Sequence, residues 1–136
     1  LTQAQTDKLQ KFQNTCARSI LNLRKFDHIS EGLASLQFLK MNKMRDTQSL
    51  TLMHKIKGNL APHYLTTRLV SQGDHHQHRT RAANNIFISR FKTNYGKNRF
   101  FCRVAKQYNE LCALLEISPS LGVSSFKEKI KKHFAT

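Results

Sequence analysis

Between residues 75 and 109 the chain carries eight cations, Arg79, Arg81, Arg90, Lys92, Lys97, Arg99, Arg103 and Lys106, together with three histidines and no carboxylate. Six aromatic rings are interleaved with them: Phe87, Phe91, Tyr95, Phe100, Phe101 and Tyr108. Cations neutralise phosphates and release condensed counterions, and exposed rings stack on unpaired bases, so this composition fits binding to a single strand or a hybrid duplex. The same rings also serve a core, with the cations as a solvated face over Phe87, Phe91 and Phe101. Other chemistry is thin. His75, His76 and His78 invite a metal, but no second spaced ligand pair accompanies them, and Cys16, Cys102 and Cys112 lack CxxC spacing. No metal or other cofactor is expected. Two-metal phosphoryl transfer needs converging carboxylates, whereas the eight acids here are scattered singly. Only Asp27 and Glu31 share a helical spacing, and they straddle a candidate cap. With no Gly-rich phosphate loop, GxSxG elbow or HExxH pair, no catalytic residue is expected.

The charge is not confined to that stretch. Lys and Arg number 23 against 8 acids in 136 residues, a net charge of +15. Residues 1–68 hold 11 cations and 4 acids, and residues 69–136 hold 12 and 4, so there is no separate basic tail. Such an excess opposes compaction unless a polyanion offsets it. Hydrophobic residues make up 39%, nine of them Phe, enough for a modest core. No apolar run approaches the ~20 residues of a membrane span, and the first residues lack the charged-then-apolar pattern of a signal peptide. The expectation is a reduced, intracellular protein, nuclear or cytoplasmic within a ribonucleoprotein, without membrane contact. A start at Leu1 with helical sequence soon after reads as a fragment of something longer.

Elements that would position the cations follow from periodicity. Leu9, Phe12, Cys16, Ile20 and Leu23 line one face of a helix over residues 7–23, with Lys8, Lys11 and Arg18 off that stripe. Ser30 is placed to cap a short helix containing Leu33 and Leu36. A longer helix spans residues 38–57, with Met41, Met44, Leu52, Met53 and Ile56 on one broad face and Gly58 as its left-handed end. Pro62 opens a further turn or two up to residue 70. The polar stretch 71–78 reads as an exposed loop. Alternation from Ile86 to Phe91, a turn at Asn94-Tyr95-Gly96 and a run over 99–102 predict a β-hairpin near residues 85–102. Helices over 103–116 and 121–134 complete the chain, the last with Val123, Phe126, Ile130 and Phe134 inward and its lysines toward the C-terminus. The fold class is mainly α: about five helices and one short hairpin.

Three blocks in this order also carry a family pattern. The first is Leu9-Gln10-Lys11-Phe12-Gln13-Asn14 with Cys16-Ala17-Arg18 and Ile20-Leu21. The second follows Leu33 to Leu39 and runs His54-Lys55-Ile56-Lys57-Gly58-Asn59-Leu60-Ala61-Pro62-His63-Tyr64-Leu65. The third joins Thr80-Arg81, Gly96-Lys97, Phe100, Arg103-Val104-Ala105-Lys106, Tyr108-Asn109-Glu110-Leu111, Ser120-Leu121 and Phe126-Lys127, then Lys131 to Phe134. Together they resemble the region behind the polymerase core in reverse transcriptases of non-LTR (LINE-like) retrotransposons. The likeness covers residues 9–134. It departs where the family has Trp-Asn-x-Leu-Pro and this chain has Tyr108-Asn109-Glu110-Leu111-Cys112. The palm signature Tyr-x-Asp-Asp is absent, so polymerase activity does not carry over to these residues alone.

The resemblance implies a thumb-like helical segment over residues 1–70 and a basic extension over 71–136, packed as one unit. Its partners would be RNA and DNA, as template or RNA/DNA hybrid, and the upstream palm and fingers. The expected phosphate contacts are Lys11, Arg18, Arg79, Arg81, Lys97, Arg99, Arg103 and Lys106. The charge alone is equally compatible with a free-standing basic nucleic-acid-binding module, ribosome- or chromatin-associated.

Overall fold

The computed structural model describes residues 2–75 and 81–135. Among them the chain is mainly α-helical. In chain order the helices are α1 (Gln3–Ile20), α2 (Ser30–Ser35), α3 (Met41–Lys57), α4 (His63–Thr66), α5 (Gln72–His75), α6 (Asn94–Lys97), α7 (Phe100–Leu114) and α8 (Val123–Ala135). The chain forms two compact units, Leu1–Gln48 with Glu128–Thr136, and Ser49–Lys127.

In the first unit, α1 opens with a capping box: Thr2 Oγ1 accepts from the Gln5 backbone N–H, and the Gln5 side chain accepts from that of Thr2. The helix then buries a face different from its apolar stripe. Gln13 and Ala17 are buried, whereas Phe12 is 67% and Ile20 61% exposed, and Leu9 and Leu23 are also exposed. The two inward glutamines decide this orientation. Gln13 Nε2 donates to the Leu39 carbonyl (2.9 Å), and Gln10 Oε1 accepts from the Met41 backbone N–H (2.8 Å), satisfying a first-turn donor of α3. Ala17 packs with Ile29 and Leu33, and Leu36 covers them. A Cβ on Gly32 would stand 2.5 Å from a Leu21 methyl, so α2 approaches that side chain as closely as glycine permits. Ser30 does not cap α2. Ile29 holds the cap position and no side chain bonds there.

The second unit buries Leu50, Met53, Ile56, Ile86, Val104, Ala105, Tyr108, Ile117 and Phe126. Its stretch of α3 turns Leu50, Thr51, Met53 and His54 inward and leaves Leu52 exposed, so the broad methionine-rich face expected for this helix is only partly the buried one.

The hairpin expected near residues 85–102 is not formed. Ile86 makes one isolated antiparallel bridge to Ser71, with Phe87 N–H donating to the Val70 carbonyl (2.8 Å) and Gln72 N–H to that of Asn85 (2.8 Å). Both backbone groups of Ile86 itself are taken by a side chain: Asn109 Oδ1 accepts its N–H (3.0 Å) and Asn109 Nδ2 donates to its carbonyl (2.9 Å). A second strand is therefore superfluous at Ile86. Downstream, Thr93 Oγ1 accepts from Gly96 N–H (3.2 Å) and caps α6, so the expected turn becomes helix and the run after it becomes the first turn of α7. The loop expected over 71–78 begins instead with the bridge and α5; residues 76–78 lie outside the described residues.

Four helices end alike. Asn22, Gln37, Asn59 and Glu116 have φ of 53°, 54°, 55° and 48°. After each, the next N–H returns to a carbonyl five residues back: Leu23 to Arg18, Phe38 to Leu33, Leu60 to Lys55 and Ile117 to Cys112. These are Schellman closures, usually built on glycine. At the end of α3 the left-handed residue is Asn59, not Gly58.

Candidate nucleic-acid interface

α7 organises the cationic site because its two faces differ. Val104, Ala105 and Tyr108 are buried, while Arg103, Lys106, Gln107 and Glu110, spaced three and four apart, form a stripe on the other side. That stripe, with Cys102, faces Ile88, Ser89, Phe91 and Lys97 across a depression of about 460 Å³. Three of the expected cations, Lys97, Arg103 and Lys106, thus share one site. Arg99 stands beside it, its guanidinium carbon 5.7 Å from the centroid of the Phe91 ring and 5.8 Å from that of Tyr95. Tyr95 is 80% exposed, which leaves ring surface available for stacking. Gly96 sets the wall of the site: a Cβ there would lie 2.7 Å from Phe91 side-chain atoms, so any larger residue displaces that ring.

The other expected cations are placed differently. Arg81 is exposed in the turn before Asn85, and Lys11 is exposed on α1. Arg18 is half-buried; its Nη2 donates to the Asp27 carbonyl (3.2 Å), while its Nε is buried without a partner. It is thereby tied to the loop after α1, where Asp27 Oδ2 also accepts from the Arg24 backbone N–H (2.7 Å). Arg79 lies outside the described residues, as do His76 and His78. His75 stacks on Phe87, ring centroids 3.9 Å apart. Among the described residues no three His, Cys, Asp or Glu side chains gather as metal ligands.

Two residues of the depression escaped the reading of the sequence. Glu110 lies one position beyond the acid-free stretch, and Gln107 reads as a helix-face residue. Gln107 Oε1 is buried without a hydrogen-bond partner, and only its i, i+3 relation to Glu110 hints that the two share a site.

The buried side of α7 is held by a polar chain. His54 stacks on Phe126 (centroids 4.1 Å apart, 3° between planes), its Nδ1 lies 2.9 Å from the Tyr108 hydroxyl and its Nε2 2.7 Å from the Leu121 carbonyl. Tyr108 also hydrogen-bonds Cys112, and burial raises the pKa of both groups. Lys57 donates to the Asn84 carbonyl and lies 5.6 Å from the Tyr108 ring centroid. Burial lowers its pKa, and the neighbouring Cys112 acts in the opposite direction.

No protein-family model, curated protein or solved structure matches the chain. Among the described residues, no helix is long and apolar enough to cross a membrane.

Proposed function

We propose that the chain is the thumb-like segment and basic extension of an RNA-directed DNA polymerase from a LINE-like retrotransposon, gripping RNA template or RNA/DNA hybrid by its backbone phosphates. The observation that carries this reading is the gathering of Lys97, Arg103 and Lys106 around one depression, with Arg99 against Phe91 and Tyr95 beside it. Cations at such a site neutralise phosphates, and the neighbouring exposed ring offers a face to an unpaired base. Lys11 and Arg81 extend the phosphate-binding set, while Arg18 serves first to hold the loop after α1. The outward Leu9, Phe12 and Ile20 stripe supports the palm of the same polymerase as the partner of α1.

The test is the salt dependence of binding to a fluorescently labelled RNA/DNA hybrid. If about six cations engage phosphates, log affinity falls with log salt concentration at a slope of roughly −4 to −5. Replacing Lys97, Arg103 and Lys106 together by Ala should reduce the steepness by about two to three units. A slope near zero for the unsubstituted chain would remove the proposal.

A further inference from the structure

Phosphate contacts position a strand but read no base. The depression beside α7 has more than phosphate chemistry. Its apolar part, Ile88 and Phe91, suits the face of a planar ring, and its volume of about 460 Å³ lies within the range of small-ligand sites. Its polar part carries both signs. Lys97, Arg103 and Lys106 offer donors, while Glu110, on a surface otherwise rich in cations, offers a carboxylate. A site built only for backbone phosphate has no use for this carboxylate, which would repel the ligand.

Resting on the nucleic-acid reading above, we infer that this depression takes one unpaired guanine of a bound strand, its ring against Phe91 and its phosphate at the cationic rim. Guanine is the base whose functional groups match both signs. O6 and N7 form an adjacent pair of acceptors of the kind Arg and Lys recognise. N1–H and the N2 amino group form an adjacent pair of donors that the two oxygens of the Glu110 carboxylate can accept. Adenine and cytosine present a single amino group as donor, and uracil a single ring N–H. The selectivity therefore belongs to Glu110, with the cations that meet O6 and N7, and the affinity common to all bases to the phosphate contacts and the ring.

The experiment measures binding of the full chain to single-stranded 12-mers of uridine, unsubstituted or carrying one central guanosine, adenosine or cytidine, at several salt concentrations. The guanosine strand should bind at least about tenfold more tightly than the other three, the discrimination expected of a well-formed base contact. Glu110→Ala should remove most of that preference, whereas Glu31→Ala, which removes the same charge from an exposed position on α2, should keep it. Glu110 is exposed, and circular dichroism will report that the helices of the variant are retained. Strong, salt-dependent binding without preference among the four strands would overturn the guanine pocket and leave the phosphate-binding reading standing. A guanosine preference undiminished in Glu110→Ala would overturn the assignment of Glu110. Absence of salt-dependent binding to any strand would overturn both.

Discussion

His54 is enclosed by Phe126, Tyr108 and the Leu121 carbonyl, and its surroundings fix where its proton sits. A carbonyl can only accept, so Nε2–H donates to Leu121, leaving Nδ1 to accept from the Tyr108 hydroxyl. Tyr108→Phe keeps the ring but leaves Nδ1 buried and unpaired, a loss of about 1–3 kcal/mol that thermal unfolding will measure. The same cluster sets the alkaline behaviour of the chain. Cys112 and Tyr108 have pKa values raised above their ordinary 9.0 and 10.0, so the folded chain keeps protons that the unfolded chain has lost. Their contribution is complete below about pH 9 and declines as pH rises beyond it. Lys57 has the opposite sign: its pKa is lowered from 10.5, the folded chain loses this proton first, and stability gains as pH rises toward that value. Lys57→Met removes the offsetting gain, and also the ammonium that favours the Cys112 thiolate. The variant should lose stability more steeply than the unsubstituted chain over about pH 9 to 10.5, monitored by urea unfolding at each pH. Equal slopes would show that Lys57 is not coupled to this cluster.

At the level of elements, periodicity announces the helices but not always the face each one buries. The stripe Leu9, Phe12, Ile20 has helical spacing, yet Gln10 and Gln13 go inward because the Leu39 carbonyl and the Met41 N–H need partners that no leucine could supply. The hairpin fails for a related reason. Asn109, 23 residues away, occupies the backbone groups of Ile86, and nothing in the local alternation of Ile86 to Phe91 reveals that clamp. Of the candidate site, Lys97, Arg103 and Lys106 stand out in the sequence within an acid-free stretch; Glu110 and Gln107 do not, because helical packing alone brings them beside Phe91 and Lys97. Helix endings were legible least of all, since the left-handed positions are filled by Asn, Gln and Glu, whereas glycine is the usual signal. Glu116 tests the cost. A residue with a Cβ is strained by about 1–2 kcal/mol at positive φ, and glycine gives back part of that relief as added freedom of the unfolded chain. Glu116→Gly should therefore stabilise the chain by about 0.5–1 kcal/mol, seen as a higher Tm. A lower Tm would mean that the Glu116 side chain contributes more than its backbone costs.

For the molecule as a whole, +15 on 136 residues sets two salt dependences of opposite sign. The ion pair of Lys132 with Glu128 (3.0 Å) joins two exposed side chains of α8 and contributes little. Repulsion among the remaining cations opposes the compact state and is screened as the Debye length falls from ~30 Å at 0.01 M salt to ~10 Å at 0.1 M. The free chain should accordingly become more stable as salt rises over that range. On the proposed function, a bound hybrid acts in the opposite sense. It stabilises the folded chain by RT ln(1 + [L]/Kd), about 2.7 kcal/mol when its concentration is 100 times Kd, and Kd itself weakens steeply with salt as counterion release loses its advantage. Thermal unfolding with and without hybrid, at fixed hybrid concentration and increasing salt, should give one rising and one falling curve that converge. Curves that stay parallel would mean that hybrid binding does not depend on the cations, and the phosphate-gripping role would fall with it.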